Sequence, residues 1–332
     1  MLNPDLKLNI KIFNDDVEQV PIRKGFGEGL AQAGETNKDI VALSADLTES
    51  TMMHFFKEKF PERFVEIGVA EQNLATVASG MAAMGKYPFF SSYAMFSPGR
   101  NWEQIRTTLA YNDRAAVIVG SHAGVSVGPD GGTHQAIEDI ALMRVIPRMT
   151  VLSPCDAIQA KQATLALGKD PKLAYLRLAR EKTPIITTED TPFELGKGQV
   201  LYRPDGVAHV TIVATGALVA HALRAAKELE EKRHIKTLVV NIHTIKPLDT
   251  ELLIQCAKET KAVVTVEEHQ IAGGLGSVVA EALVQVLPVP IEFVGVRDEF
   301  GQSGTPAQLI EHYGMGRDAI IAAVMKVIER KG

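Results

Sequence analysis

The sequence predicts an α/β protein built as two consecutive open, mostly parallel-sheet domains. Two observations carry this. Short apolar runs alternate with helical segments, the pattern of βαβ units. That alternation is interrupted once, by a polar stretch rich in Pro and Thr, and then restarts. The 332 residues suffice for two ordinary domains, and 46% hydrophobic with 23% charged residues is a normal globular composition.

The elements follow in chain order. Residues 22–34, "IRKGFGEGLAQAG", read as a helix in spite of their glycines. "DIVALSADL" (39–47) is a strand running into a polar turn, and "RFVEIGV" (63–69) is a second strand. A small-residue helix follows over 71–84. "YPFFSSYAMF" (87–96) is strand-like and leads into the helix "NWEQIRTTLAY". "AAVIVGSHAG" (115–124) is an apolar strand opening into a Gly-rich loop, and "HQAIEDIALMRVI" reads as helical. "MTVLSP", "DAIQAKQATLALG" and "KLAYLRLAR" complete the first series as strand, helix and strand. The first domain is set at 1–184, a linker at 185–198 and the second domain at 199–332. In the second, "HVTIVATG", "IKTLVVNIHTI", "AVVTVEEH" and "IEFVGV" are strands. Helices are expected over 217–231, near 250–259 and after "GGLGS".

Several classes of function are disfavoured at once. A net charge of −5 gives no bulk electrostatic case for nucleic acid or an anionic membrane surface. Cys155 and Cys256 have no metal-type spacing, which fits a reducing compartment rather than a disulfide scaffold. No apolar run of about 18 residues marks a membrane span, and the polar N-terminus is no signal peptide. A cytoplasmic location is the expectation.

Ligands in open α/β sheets bind beyond the carboxyl ends of the strands. Four loops of the first domain hold that position: "SADLTES", "GVAEQN", "SHAGVSVGPDGGTHQ" and "RLAREKTP". Glu71 stands in apolar, small-residue surroundings, either as a helix-start carboxylate favoured by the helix dipole or as a buried acid aimed at a ring nitrogen. Five aromatics, Tyr87, Phe89, Phe90, Tyr93 and Phe96, fall within ten positions and fit either a core or a platform for a heteroaromatic ring. The third loop joins His122, Asp130 and His134 to a series of glycines, a combination suited to proton transfer and to gripping hydroxyls. Arg23 and Arg180 are arginines near loop ends, of the kind that fork a phosphate. In the second domain "HQIAGGLGS" matches no phosphate-loop pattern, and His243 and the "VEEH" run ending at His269 read as structural or interface features.

Together these strings resemble the C-terminal portion of the transketolase family, over nearly the whole chain. "SADLTES", "GVAEQN" and "GPDGGTHQ" are the most specific segments. The resemblance implies a thiamine-diphosphate pyrimidine-binding fold followed by a transketolase C-terminal fold. It implies that Glu71 is the glutamate that bonds N1′ of the cofactor's aminopyrimidine and favours its imino tautomer. Tyr87, Phe90 and Tyr93 resemble the aromatic pocket around that ring, with Tyr87 where the family commonly has Phe. Asp46 matches an aspartate close to the cofactor. His134 and Asp130 resemble residues that contact substrate hydroxyls, and Arg23, Ser50, His122 and Arg180 resemble a sugar-phosphate site. His134 joins Glu71 as the expected catalytic pair.

The family's diphosphate and Mg²⁺ are held by a separate domain marked by Gly-Asp-Gly and a downstream Asn, since a hard cation bridging phosphates wants oxygen ligands. No Gly-Asp-Gly occurs here, and the chain begins shortly before the pyrimidine domain. The resemblance is therefore to the C-terminal subunit of a split transketolase. The expectation is that it moves a two-carbon ketol unit between sugar phosphates in the pentose phosphate pathway, with an N-terminal subunit supplying the Mg²⁺ ligands. It holds no metal of its own, and a self-associating core in an α2β2 heterotetramer is expected. Two alternatives stand beside this. One is a 1-deoxyxylulose-5-phosphate synthase-like enzyme, in which "SHAG" would usually read Asp-Arg-Ala-Gly. The other is a non-catalytic assembly or regulatory subunit.

Overall fold

A computed structural model describes residues 1–331. Two sheets form its frame, and their strands are numbered here in chain order. The first sheet contains β2 (Ile40–Ser44), β3 (Phe64–Glu66), β4 (Tyr87–Tyr93), β5 (Ala116–Ser121), β6 (Thr150–Leu152), β7 (Leu173–Arg177) and β12 (Thr244–Lys246). The second contains β9 (Gln199–Tyr202), β10 (Val210–Ala214), β11 (Thr237–Asn241), β13 (Val263–Gln270) and β14 (Ile291–Val296). A small ribbon pairs β1 (Gln19–Pro21) with β8 (Lys182–Pro184).

The first sheet runs β12-β6-β7-β5-β4-β2-β3, all parallel except β12. The second runs β14-β13-β10-β11-β9, parallel except β9. The interior strands β2, β5 and β7 are buried along their whole length, as a sheet covered on both faces requires. The fold class matches the one read from the sequence.

The glycines of the first helix, Ile22–Thr36, have a packing reason. A Cβ on Gly25 would lie 1.7 Å from the carbonyl oxygen of Ala157, and one on Gly29 would meet Thr164 at 3.0 Å. The helix can therefore lie backbone-close on Ala157–Lys169, which offsets the weak helix propensity of glycine.

The two sheets are not independent. Strand β12 follows the second sheet's β11, yet it pairs antiparallel with β6 of the first, Thr244 opposite Leu152 and Lys246 opposite Val151. One apolar cluster runs from Leu74 and Phe90 through Ile140 and Met143 to Ile242, Leu275 and Val279. At the other end, Leu8 and Ile12 pack into the core of the second sheet, and Leu2 bridges Tyr202. The opening residues, counted with the first domain on sequence grounds, thus lie on the second. The polar stretch after β8 is pinned as well: buried Asp156 accepts from the backbone N–H of Ile186 and Thr187 at 2.8 and 2.6 Å.

Some elements differ from expectation. Of the helix expected over 134–146 only Asp139–Arg144 forms, because the preceding residues are drawn into loop contacts with the second sheet. The helix after Trp102 relaxes into π-helical turns over Ile105–Ala110. Helices Pro306–His312 and Arg317–Lys331 close the chain, the first opened by a capping box on Thr305 and Gln308. Among the described residues no helix is long and apolar enough to cross a membrane, and no group of three His, Cys, Asp or Glu side chains converges as a metal site.

Candidate active site

Every predicted site residue except Tyr87 and Phe90 sits at or beyond the carboxyl end of a parallel strand or at the adjoining helix starts. Asp46 and Ser50 follow β2, Glu71 follows β3, Tyr93 ends β4, and His122 follows β5. Arg180 follows β7, and Arg23 lies in the first turn of the first helix.

Glu71 is the first residue of the helix Glu71–Ala83 and is 2% exposed. The Ser92 hydroxyl donates to its Oε1 at 3.2 Å, and Asn101 Nδ2 donates to its backbone carbonyl at 3.0 Å. Its Oε2 is buried and has no hydrogen-bond partner. The nearest cation recorded, Arg100 Nη1, stands at 3.8 Å on a mostly exposed side chain. Buried carboxylate oxygens are normally satisfied, so this one has the capacity to take a donor from outside the chain. It borders a depression of about 430 Å³ lined by Val69, Ala70, Gln72, Asn73 and Arg100.

One residue on from Ser92, Tyr93 at the end of β4 opens a nest of rings. Tyr93 stacks on His122, centroids 3.8 Å apart, and on Phe96 at 6.3 Å. His134 presents its edge to Tyr93 at 6.3 Å and to Phe96 at 5.4 Å. His122 is buried, holds a left-handed φ of 57° and shares a 2.8 Å hydrogen bond between Nδ1 and the Ser121 hydroxyl. Burial first, then the charges of Arg23 and Arg180 and the neighbouring His134, push its pKa down to about 3. It is a neutral imidazole at physiological pH.

The two arginines converge. Arg23 donates to the backbone carbonyls of Arg180, at 3.1 Å, and of Ser50. Arg180 donates to the Val127 carbonyl, and its Nη1 is 3.6 Å from Asp130. Burial, and next the like charge of Arg180, lower the pKa of Arg23. The two guanidiniums are braced by carbonyl oxygens, with the Asp130 and Glu181 carboxylates 3.6 and 3.7 Å from Arg180, and have the chemistry to receive an anion.

Asp46 is exposed, with a left-handed φ of 60°. Its loop is fixed by Glu66, whose carboxylate accepts from Asp46 N, Gly68 N and the Thr48 hydroxyl at 2.6, 3.2 and 2.9 Å. Ser50 reaches the cluster through its backbone carbonyl.

Two expected pocket residues lie elsewhere. Tyr87 opens β4 at the amino end, about 20 Å from Tyr93 at the usual rise of a strand. Its hydroxyl donates to the Lys172 carbonyl at 3.2 Å, and it packs with Phe89 in the core. Phe90 is fully buried among Leu43, Leu74, Ile105 and Ile118, under the sheet rather than at its end. Phe96 belongs to the nest instead. Sequence reading named Phe96 in the aromatic run but did not carry it to the pocket, and it passed over Ser92, Arg100 and Glu66.

Residues 18–185 match the family described as transketolase, pyrimidine binding domain, and residues 176–320 match the transketolase C-terminal domain. The chain belongs to the transketolase family. This transketolase chain is 42% identical over 313 residues to the transketolase C-terminal section of Methanocaldococcus jannaschii, covering 93% of this chain and 97% of that one. It is 40% identical over 319 residues to the 6-deoxy-6-sulfo-D-fructose transketolase subunit SqwH of Clostridium sp. (strain MSTE9), covering 96% and 98%. Among solved structures, a split gene transketolase described as an inactive beta4 tetramer superposes with a TM-score of 0.87 at 43% identity. It covers 94% of this chain and 100% of that one. The chain is thus a C-terminal subunit of the transketolase type, a family of thiamine-diphosphate-dependent ketol transferases, and its relatives imply a partner subunit and an oligomer.

Proposed function

We propose that this subunit supplies the pyrimidine-side half of a two-chain active site, moving a two-carbon ketol unit from a ketose phosphate to an aldose phosphate. The observation that carries this reading is the partnerless, buried Oε2 of Glu71, a residue held by Ser92 on the strand whose end bears the ring nest of Tyr93, Phe96, His122 and His134. These residues fit an aminopyrimidine: an acid to face a ring nitrogen and flat faces to hold the ring. When bound, thiamine diphosphate supplies the nucleophilic carbon that cleaves and reforms the ketol bond.

The chain's own side chains do the rest. Glu71 holds a proton between its Oε2 and the ring nitrogen, and Ser92 keeps the carboxylate oriented. Tyr93 and Phe96 hold the ring, with Tyr87 and Phe90 supporting the sheet from within. His122, neutral and braced by Ser121 at Nδ1, is left to hydrogen-bond the substrate at Nε2. Arg23 and Arg180 take the terminal phosphate, displacing backbone carbonyls as they do so. Asp130 and His134 hold sugar hydroxyls. The partner subunit provides the diphosphate and Mg²⁺ ligands, in keeping with the absence of a Gly-Asp-Gly string from this sequence. An α2β2 assembly in the cytoplasm, serving the pentose phosphate pathway, completes the reading.

The test is reconstitution. The purified chain is mixed with its N-terminal partner, thiamine diphosphate and Mg²⁺, and transfer from xylulose 5-phosphate to ribose 5-phosphate is followed. Activity is expected from the mixture and from neither chain alone. Full activity of this chain by itself overturns the two-chain reading. An inactive mixture that instead releases CO₂ from pyruvate in the presence of glyceraldehyde 3-phosphate supports the deoxyxylulose synthase alternative.

A further inference from the structure

The loop between Gly124 and His134 carries two of the residues assigned to substrate, and it is anchored by the other half of the chain as well as by Arg180 and Ala136 of its own. Glu268, on β13 of the second sheet and 3% exposed, accepts the backbone N–H of Ser126 at 2.6 Å. It lies so close that a Cβ on Gly124 would be 2.3 Å from its Oε1. Just before Asp130, the Ser303 hydroxyl donates to the Pro129 carbonyl at 2.9 Å. A Cβ on Gly132 would fall 2.5 Å from the carbonyl oxygen of Gly301. Next to His134, Gln135 Nε2 donates both to Val125 O at 3.0 Å and to Gln302 O at 2.9 Å. Beyond the loop, Arg177 donates to the Glu268 carbonyl at 2.8 Å and pairs with Asp139. The second half therefore grips the loop on both sides of Asp130 and again beside His134.

A carboxylate is a costly choice for a buried anchor, since an apolar side chain of similar volume is often as stable or more so. What Glu268 adds is direction: a charge-assisted bond to one particular N–H. We infer that Glu268, with Ser303, is a positioning residue that fixes the substrate loop from the second domain and so sets how Asp130 and His134 meet the hydroxyls of the sugar. None of the recorded contacts of Glu268 or Ser303 is with the ring nest, so they act through the loop. This rests on the functional reading above.

The experiment uses Glu268→Gln and the exposed Ser303→Ala in the assembled two-chain enzyme, with ribose 5-phosphate and glycolaldehyde compared as acceptors. Glycolaldehyde lacks the sugar's further hydroxyls. Glu268→Gln is expected to raise KM for ribose 5-phosphate about fivefold and Ser303→Ala about threefold, the scale of one hydrogen bond. Turnover with glycolaldehyde and the apparent affinity for thiamine diphosphate should stay within about twofold of the parent. Hydrogen exchange of peptides spanning 124–134, measured on the full chain alone, should quicken in both variants. Equal losses with both acceptors, or unchanged exchange in this segment, overturn the inference. If Glu268→Gln does not fold, Ser303→Ala decides by the same readouts. Should the parent mixture prove inactive, the functional reading fails while the exchange measurement still decides the anchoring.

Discussion

Ser92 holds Glu71 by one oxygen only: its hydroxyl donates to Oε1 at 3.2 Å and leaves the buried Oε2 unbonded. A carboxylate fixed in this way is oriented but unsatisfied. Glu71→Gln keeps the shape and removes the acid. A loss of at least about a hundredfold in ketol transfer is expected, within the range for a group acting in proton transfer, with assembly retained. Ser92→Ala should cost about fivefold, one hydrogen bond's worth. Steady-state rates and size-exclusion profiles of the reconstituted enzyme check both, and near-normal turnover of Glu71→Gln refutes the assigned role.

Arg23 and Arg180 make a second prediction. A charged hydrogen bond contributes about 1.5–3 kcal/mol, so Arg180→Ala should raise KM for a phosphorylated ketose donor by roughly ten- to a hundredfold. Erythrulose, a ketose without phosphate, should be turned over as by the parent. Loss with both donors would mean that Arg180 serves the loop through Val127 rather than the anion.

The buried histidines predict a pH response of stability. His122 and His243 have pKa values lowered to about 3 and about 4, by burial first in both. An unfolded chain takes up these protons from about pH 6.5 downwards, whereas the folded one refuses them until near those lowered values. Stability should therefore be full above neutrality and fall as the pH drops from 6.5 towards 4. Each histidine adds a slope of up to about 1.4 kcal/mol per pH unit. His243 stacks on Phe193 at 4.5 Å and leaves its Nε2 unpartnered, so His243→Phe should flatten the curve by one such increment. Urea titrations between pH 5 and 7 would show it; an unaltered slope would exclude the titration of His243.

Asp139 and Arg177 form a buried pair, Nε to Oδ2 at 2.8 Å, with the Tyr175 hydroxyl donating to the same oxygen at 2.7 Å. Asp139→Ala strands a guanidinium in the interior and should destabilise by about 3–5 kcal/mol. Adding Arg177→Met should restore part of that loss, because the lone charge is gone. Denaturation midpoints of the single and double variants compare the two; a double variant less stable than the single would contradict it.

The strand order could not be read from the chain, but the strands and the place of the candidate site could, for different reasons. Apolar runs such as 116–121 announce buried strands by composition. Glu71, His122 and Arg180 were legible because each follows such a run directly. The aromatic run misled, because Tyr87, Phe89, Phe90 and Tyr93 share one strand, where only register tells them apart, and Phe96 lies just past its end. Tyr87 and Phe89 join one core and Phe90 the opposite one, as alternation demands. Only Tyr93 and Phe96, at and past the strand's end, stand among the rings of the candidate site. The grip of Glu268 on Ser126 spans 142 positions and had no local signal at all.

The crossing of Thr244–Lys246 into the first sheet has a consequence for how such proteins can be recombined. A pyrimidine-binding half cut away at residue 198 would leave Val151 and Leu152 as an uncapped sheet margin, able to recruit foreign strands. Chimeras between relatives should therefore inherit β6 and β12 from one parent. The natural unit of exchange is the whole polypeptide rather than either of its two halves.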